Sequence, residues 1–119
     1  MLSSNYRFHG LGSLRYLFRS GQIVRSRTLL VRYCVNNKRQ DSRVTVIIGK
    51  KVAKSAVVRN RIRRRIFEVV RTEWQAITPG HDISITVFSS ELATIPHEEL
   101  RQQVIGVLKQ AHLYSIQGR

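Results

Sequence analysis

Apolar positions along the chain follow two periods, and the switch between them marks the elements. Leu29, Val31, Tyr33 and Val35 alternate with Leu30, Arg32 and Cys34, which predicts a strand around 28–35. Val44, Val46 and Ile48 alternate in the same way over 43–48, and Gly49 ends that strand. Ile83, Ile85 and Val87 point inward from a third strand over 82–88. The polar stretch 36–42 and the pair Pro79-Gly80 read as turns.

Elsewhere the period is helical. Leu14, Leu17 and Phe18 share one face of a short helix, with Ser13 as N-cap and Gly21 as its stop, while Arg15 and Arg19 stack on another face. From Lys50 the chain runs as a basic loop and then becomes a long helix. At about 100° per residue, Val58, Ile62, Ile66, Val69 and Val70 form its apolar stripe. Asn60, Arg61, Arg64, Arg65 and Arg71 fall opposite, with Arg59 and Arg63 at the border. Pro96 opens a last helix whose first turn carries Glu98 and Glu99, favourable for the helix dipole. Its buried stripe is Leu100, Val104, Val107, Leu108 and Ala111.

These elements fit one domain of 119 residues, with 1–12 as a flexible lead-in. A chain of this size buries roughly two-thirds of the surface exposed on unfolding, enough for one core. With 42% hydrophobic residues and no repeat or linker, the expected class is α+β: an α/β sandwich on a central, mostly antiparallel sheet with one long basic helix. No uncharged run is long enough to make a bilayer-spanning helix. Residues 1–37 lack acids and are rich in Arg and Ser, the composition of a transit peptide, but the strand within them belongs to the core. The lone Cys34 can form no internal disulfide, which suits a reducing, cytoplasmic setting.

Charge changes the picture more than composition does. The net charge is +14, and it is polarised: residues 1–67 hold 17 Lys+Arg and one acid, Asp41, whereas 68–119 hold 4 Lys+Arg and 6 acids. Such a field attracts a polyanion, nucleic acid before membrane. The stretch 50–65 concentrates it, with Lys50, Lys51, Lys54, Arg59, Arg61, Arg63, Arg64 and Arg65 and no acid. Like charges four apart on a helix repel by roughly 0.2–0.5 kcal/mol per pair, so an external anion is the expected compensator. Guanidinium forks clamp phosphate oxygens, and Asn60 adds a neutral donor and acceptor for a 2′-hydroxyl or base edge.

Catalytic chemistry has no such density. His9, His81, His97 and His112 are scattered singly, no pair of carboxylates is placed for Mg²⁺ or acid/base work, and there is no P-loop. Glu73 reads as a helix-edge ion pair. No catalytic residue and no protein metal site is therefore assigned, and a standalone enzyme is not supported. A duplex DNA binder would need a helix-turn-helix pairing that is not evident.

Lys50-Lys51, a spacer, Ala56-Val57-Val58, Arg59-Asn60-Arg61-Ile62, Arg63-Arg64 and Glu68 resemble the signature of the protein component of bacterial ribonuclease P. The short helix ending Phe18-x-x-Gly21, the strand with Arg27-x-Leu29-Leu30 and the strand Asp82-Ile83-x-Ile85 are similar to that family as well. The resemblance implies a ribosomal-protein-S5-domain-2-like fold with a left-handed βαβ crossover, against the general right-handed rule. It implies that Lys50, Lys51, Lys54, Arg59, Asn60, Arg61, Arg63 and Arg64, with Arg65 beside them, bind the catalytic RNA. It implies a cleft for the single-stranded 5′ leader of precursor tRNA at Leu14, Phe18, Arg32 and Tyr33. The partners implied are ribonuclease P RNA, one per protein, and precursor tRNA. The RNA and the Mg²⁺ bound mainly to it would hydrolyse the leader, so the chain would be an enzyme only as a subunit of that endonuclease.

The sequence departs from the family pattern at Leu14, Ala53 and Phe67, where Phe, Gly and Arg are usual, and near Ile47 and Gly49. The alternative reading is a ribosomal protein or RNA chaperone that docks on structured RNA without catalysis.

Overall fold

Each alternating or helical stretch above forms its element. The structure is a computed structural model that describes residues 11–36 and 41–115, with residues 11–15 as backbone only. The order is α1 (Leu11–Ser20), β1 (Gln22–Arg25), β2 (Leu29–Val35), β3 (Arg43–Ile48), α2 (Ala56–Thr72), β4 (His81–Val87) and α3 (His97–Gln110). Single 3-10 turns lie at Trp74–Ala76 and Ser90–Ala93. The sheet runs β1-β2-β4-β3. β1–β2 and β2–β4 are antiparallel, while β3 and β4 are parallel and joined through α2.

Register assigns the faces. Val31 sits opposite Ile85, and Val46 opposite Ile85 from the other side, so Leu29, Val31, Val44, Val46, Ile48, Ile83, Ile85 and Val87 line one face. That face packs against α2 and α3 in one core, where Ile62, Ile66, Leu100 and Val104 are fully buried. Each such side chain contributes about 1.5–3 kcal/mol over its exposed state. Phe67 joins this core, so the position where the family has Arg makes no surface contact here. After α3 the chain turns back at His112, with φ 60°, and Tyr114 pairs with Ile77.

α1 rests on the opposite face, over β2 and β4, where Leu17 is buried outside that core. Gly21 is required by close packing: a Cβ there would lie 2.6 Å from the Leu17 carbonyl oxygen. Its N–H donates to that oxygen at 2.8 Å and ends the helix. Two expectations change at this end of the chain. The helix begins at Leu11, so Ser13 lies inside it and is no cap, and Leu11 and Gly12, expected in the flexible lead-in, are helical. The rest of the expected lead-in, 1–10, lies outside the described residues. β1 was not expected; its exposed edge position leaves no buried alternation to read.

Candidate nucleic-acid interface

The basic loop and α2 are held by their own chemistry. Ser55 caps α2, its hydroxyl oxygen accepting from Val58 N–H at 3.3 Å. Arg59 folds the loop back onto the helix by donating to the carbonyl oxygens of Ala53 and Lys54 at 2.8 and 2.9 Å. The first turn of α2 contains no acid, so the positive end of its dipole is unopposed beside the loop. Arg63 donates to Asn60 Oδ1 at 2.8 Å.

Outward from this frame, Lys50, Lys51, Lys54, Asn60, Arg61 and Arg64 are exposed. The three lysines, Arg61 and Arg64 make no side-chain hydrogen bond or ion pair among the described residues. Arg65 differs. It donates to the carbonyl oxygens of Leu92, at 2.8 Å, and Ile95, tying α2 to the turn that precedes α3. The structure therefore separates Arg65 from the exposed group with which the sequence placed it.

The carboxylates are engaged elsewhere. Asp82 takes a bidentate contact from Arg43, both bonds 2.9 Å, and Asn36 donates to both of its oxygens. Glu91 pairs with Arg27, Glu68 with Arg71, and Glu98 with Arg101. Glu73 accepts from the Tyr114 hydroxyl at 2.7 Å and from Arg101 Nε at 3.0 Å. The Tyr114 hydrogen bond, with Arg101 beside it, holds the Glu73 carboxyl below the usual carboxylate range against the opposing effect of burial. Among the described residues no three His, Cys, Asp or Glu gather as metal ligands. Most carboxylates among the described residues are committed to arginines, a donor set that does not suit a resident Mg²⁺. Burial, and then the charge of Asp82, push the Cys34 thiol up, away from a nucleophilic thiolate.

On the sheet face beneath α1, the Arg32 guanidinium lies 4.5 Å from the Phe18 ring centroid. Strand alternation sends Tyr33 to the other face, where it packs against the core and donates to Gln22 Oε1 at 3.0 Å. Phe18 and Arg32 are thus brought together and Tyr33 is not; the side chain of Leu14 lies outside the described residues. Among the described residues, three buried polar atoms on this face have no partner, Arg32 Nε, Ser84 Oγ and Thr86 Oγ1, and Arg32 and Ser84 are direct cross-strand neighbours. Sequence reasoning missed a second ring–guanidinium pair here: Arg25 lies 4.7 Å from the Phe88 ring centroid. Finding it required knowing that β1 exists. Among the described residues no helix is long and apolar enough to cross a membrane.

Comparison with known proteins agrees with this architecture. The ribonuclease P protein of Staphylococcus aureus superposes with a TM-score of 0.82 at 24% identity, covering 92% of this chain and 98% of that one. The ribonuclease P protein from Thermotoga maritima gives 0.79 at 21% identity, covering 87% and 96%. At these identities the likeness speaks for the fold. In sequence, the ribonuclease P protein component of Symbiobacterium thermophilum is 31% identical over 113 residues, 95% of this chain and 96% of that protein. The family model described as Ribonuclease P matches residues 2–112. These matches favour a ribonuclease P subunit over the ribosomal-protein or RNA-chaperone alternative. With a sequence match nearly end to end and the same fold beneath its basic helix, the chain belongs to the bacterial ribonuclease P protein family.

Proposed function

We propose that this subunit docks on its catalytic RNA, one protein per RNA, through Lys50, Lys51, Lys54, Asn60, Arg61 and Arg64. In the same reading it holds the 5′ leader of precursor tRNA on the sheet face of Phe18 and Arg32. The observation that carries this is that, among the described residues, the lysines and arginines of this group have no carboxylate partner, although arginines elsewhere are paired. Removing exposed like charges from mutual repulsion requires an anion, and a phosphate backbone supplies one at every nucleotide. Arg59 and Arg63 set the loop and the helix surface and keep spare donors for the same backbone. In the same reading the subunit works in the cytoplasm, the setting that suits tRNA precursors and a reduced Cys34.

Hydrolysis belongs to the RNA and its Mg²⁺ in this account. The protein lowers repulsion between two polyanions, the catalytic RNA and the substrate, and supplies no nucleophile or base. The test is cleavage of precursor tRNA at limiting Mg²⁺. Protein added to ribonuclease P RNA is expected to stimulate release of the leader, and protein alone to cleave nothing. Cleavage by the protein alone, or no stimulation of the RNA, contradicts the reading.

A further inference from the structure

The sheet face beneath α1 carries two ring–guanidinium pairs in register. Arg25 sits opposite Leu30, and Leu30 opposite Thr86; two residues along, Ile23 sits opposite Arg32, and Arg32 opposite Ser84. Alternation therefore puts Arg25, Arg32, Ser84 and Thr86 on one side of the sheet, away from the core. Phe88 continues the parity of Ser84 and Thr86, and its N–H donates to the Thr28 carbonyl oxygen at 2.9 Å, so pairing persists one residue past β4. The two pairs are offset by two residues along β2, about 7 Å at the usual strand rise.

Both pairs are built alike. Each guanidinium is held by a ring, and neither Arg25 nor Arg32 has a carboxylate partner among the described residues. Each ring is half-exposed, Phe18 at 46% and Phe88 at 38%. A ring covered by a guanidinium on one side keeps its other side for a nucleobase, and the guanidinium keeps donors for phosphate. The pairing of Ile48 with Val87 makes the basic loop leave the sheet at the end where Phe88 sits. Along the direction of β4 the order is therefore Phe18–Arg32, Phe88–Arg25, then the start of the basic loop at Lys50 and Lys51. Rings alternating with cations that have no carboxylate partner among the described residues match the repeat of base and phosphate in a single strand.

We infer that Phe88 and Arg25 form a second base-stacking station, so that the subunit holds at least two unpaired nucleotides of one RNA strand between α1 and the basic loop. The inference rests on the leader-binding reading above and adds to it the residues and the minimum length of strand engaged.

The experiment is binding of precursor tRNAs, with leaders shortened one nucleotide at a time, to the full-length protein assembled with its ribonuclease P RNA. For the unaltered protein, affinity is expected to rise in steps as the leader lengthens. Phe88→Leu, which keeps apolar area but removes the flat ring, is expected to abolish one step, a loss of at least about fivefold. Phe88→Tyr is expected to keep that step. Arg25→Gln, at an exposed position, is expected to weaken the same step and leave the melting temperature unchanged. Full retention of every step in Phe88→Leu, with a step lost in Phe18→Leu, overturns the second station and leaves the leader reading standing. No dependence on leader length in the unaltered protein overturns both.

Discussion

The cations of the basic loop and outer face of α2 differ from those around the rest of the molecule in what holds them. Arg43 and Asp82 form a largely buried bidentate pair, Arg101 bridges Glu73 and Glu98, and Arg27 meets Glu91. Lys50, Lys51, Lys54, Arg61 and Arg64 meet nothing among the described residues. The boundary between the two groups runs between adjacent residues. Arg64 is exposed, whereas Arg65 is anchored to two backbone carbonyls. One residue type thus serves two purposes, and local partners, not sequence position, decide which. Where the arginine is bonded it holds elements together; where it is not, its charge is available to a second molecule.

The comparison can be broken most directly at that boundary. Arg65→Ala leaves the carbonyls of Leu92 and Ile95 without their donor and is expected to cost about 1–3 kcal/mol. Denaturant unfolding should show this loss, while the salt dependence of RNA binding stays close to that of the unaltered protein. Arg64→Ala should give the reverse, a flatter salt dependence with an unchanged unfolding midpoint. Identical behaviour of the two variants in both measurements would erase the distinction.

A smaller effect sharpens the bonded side of the comparison. The carboxyl of Glu73 titrates lower in the folded chain than in the unfolded one, chiefly through the Tyr114 hydroxyl. Its stabilisation is therefore present above the ordinary carboxylate range and is lost as pH falls through the depressed value. Glu73→Gln is expected to lower the melting temperature near neutral pH and to narrow the gap to the unaltered protein as the solution becomes acidic. A gap that widens in acid would mean that Glu73 is not the group being titrated.

Much of this arrangement was legible in the sequence where burial is one-sided. Val44, Val46 and Ile48 alternate without interruption, and β3 spans the predicted 43–48. The stripe from Ile62 to Val70 is apolar for the same reason, and it is the buried side of α2. The parts that could not be read depend on neighbours distant in sequence. β1 has four residues and mostly exposed side chains, so no period announced it, and the Arg25–Phe88 pair went unseen with it. Arg65 lies on the polar side of the helical wheel, yet the Ser90–Ala93 turn and the residues after it cover that flank. The stop after α3 falls at His112 in a left-handed conformation, where glycine is the usual signal. Tyr33 is the opposite case: strand alternation already set it apart from Arg32, and the family resemblance had grouped them.

The central claim is that Arg61 and Arg64 of α2, which have no partner among the described residues, exist to meet an RNA backbone. The most direct measurement is the slope of log affinity against log salt for binding to ribonuclease P RNA, compared between the unaltered protein and the Arg61→Ala, Arg64→Ala double variant. The account predicts a slope shallower by about 0.7–0.9 for each lost phosphate contact, with folding stability unchanged. An unaltered slope, accompanied by a loss of stability, would show those side chains to be structural and would contradict it.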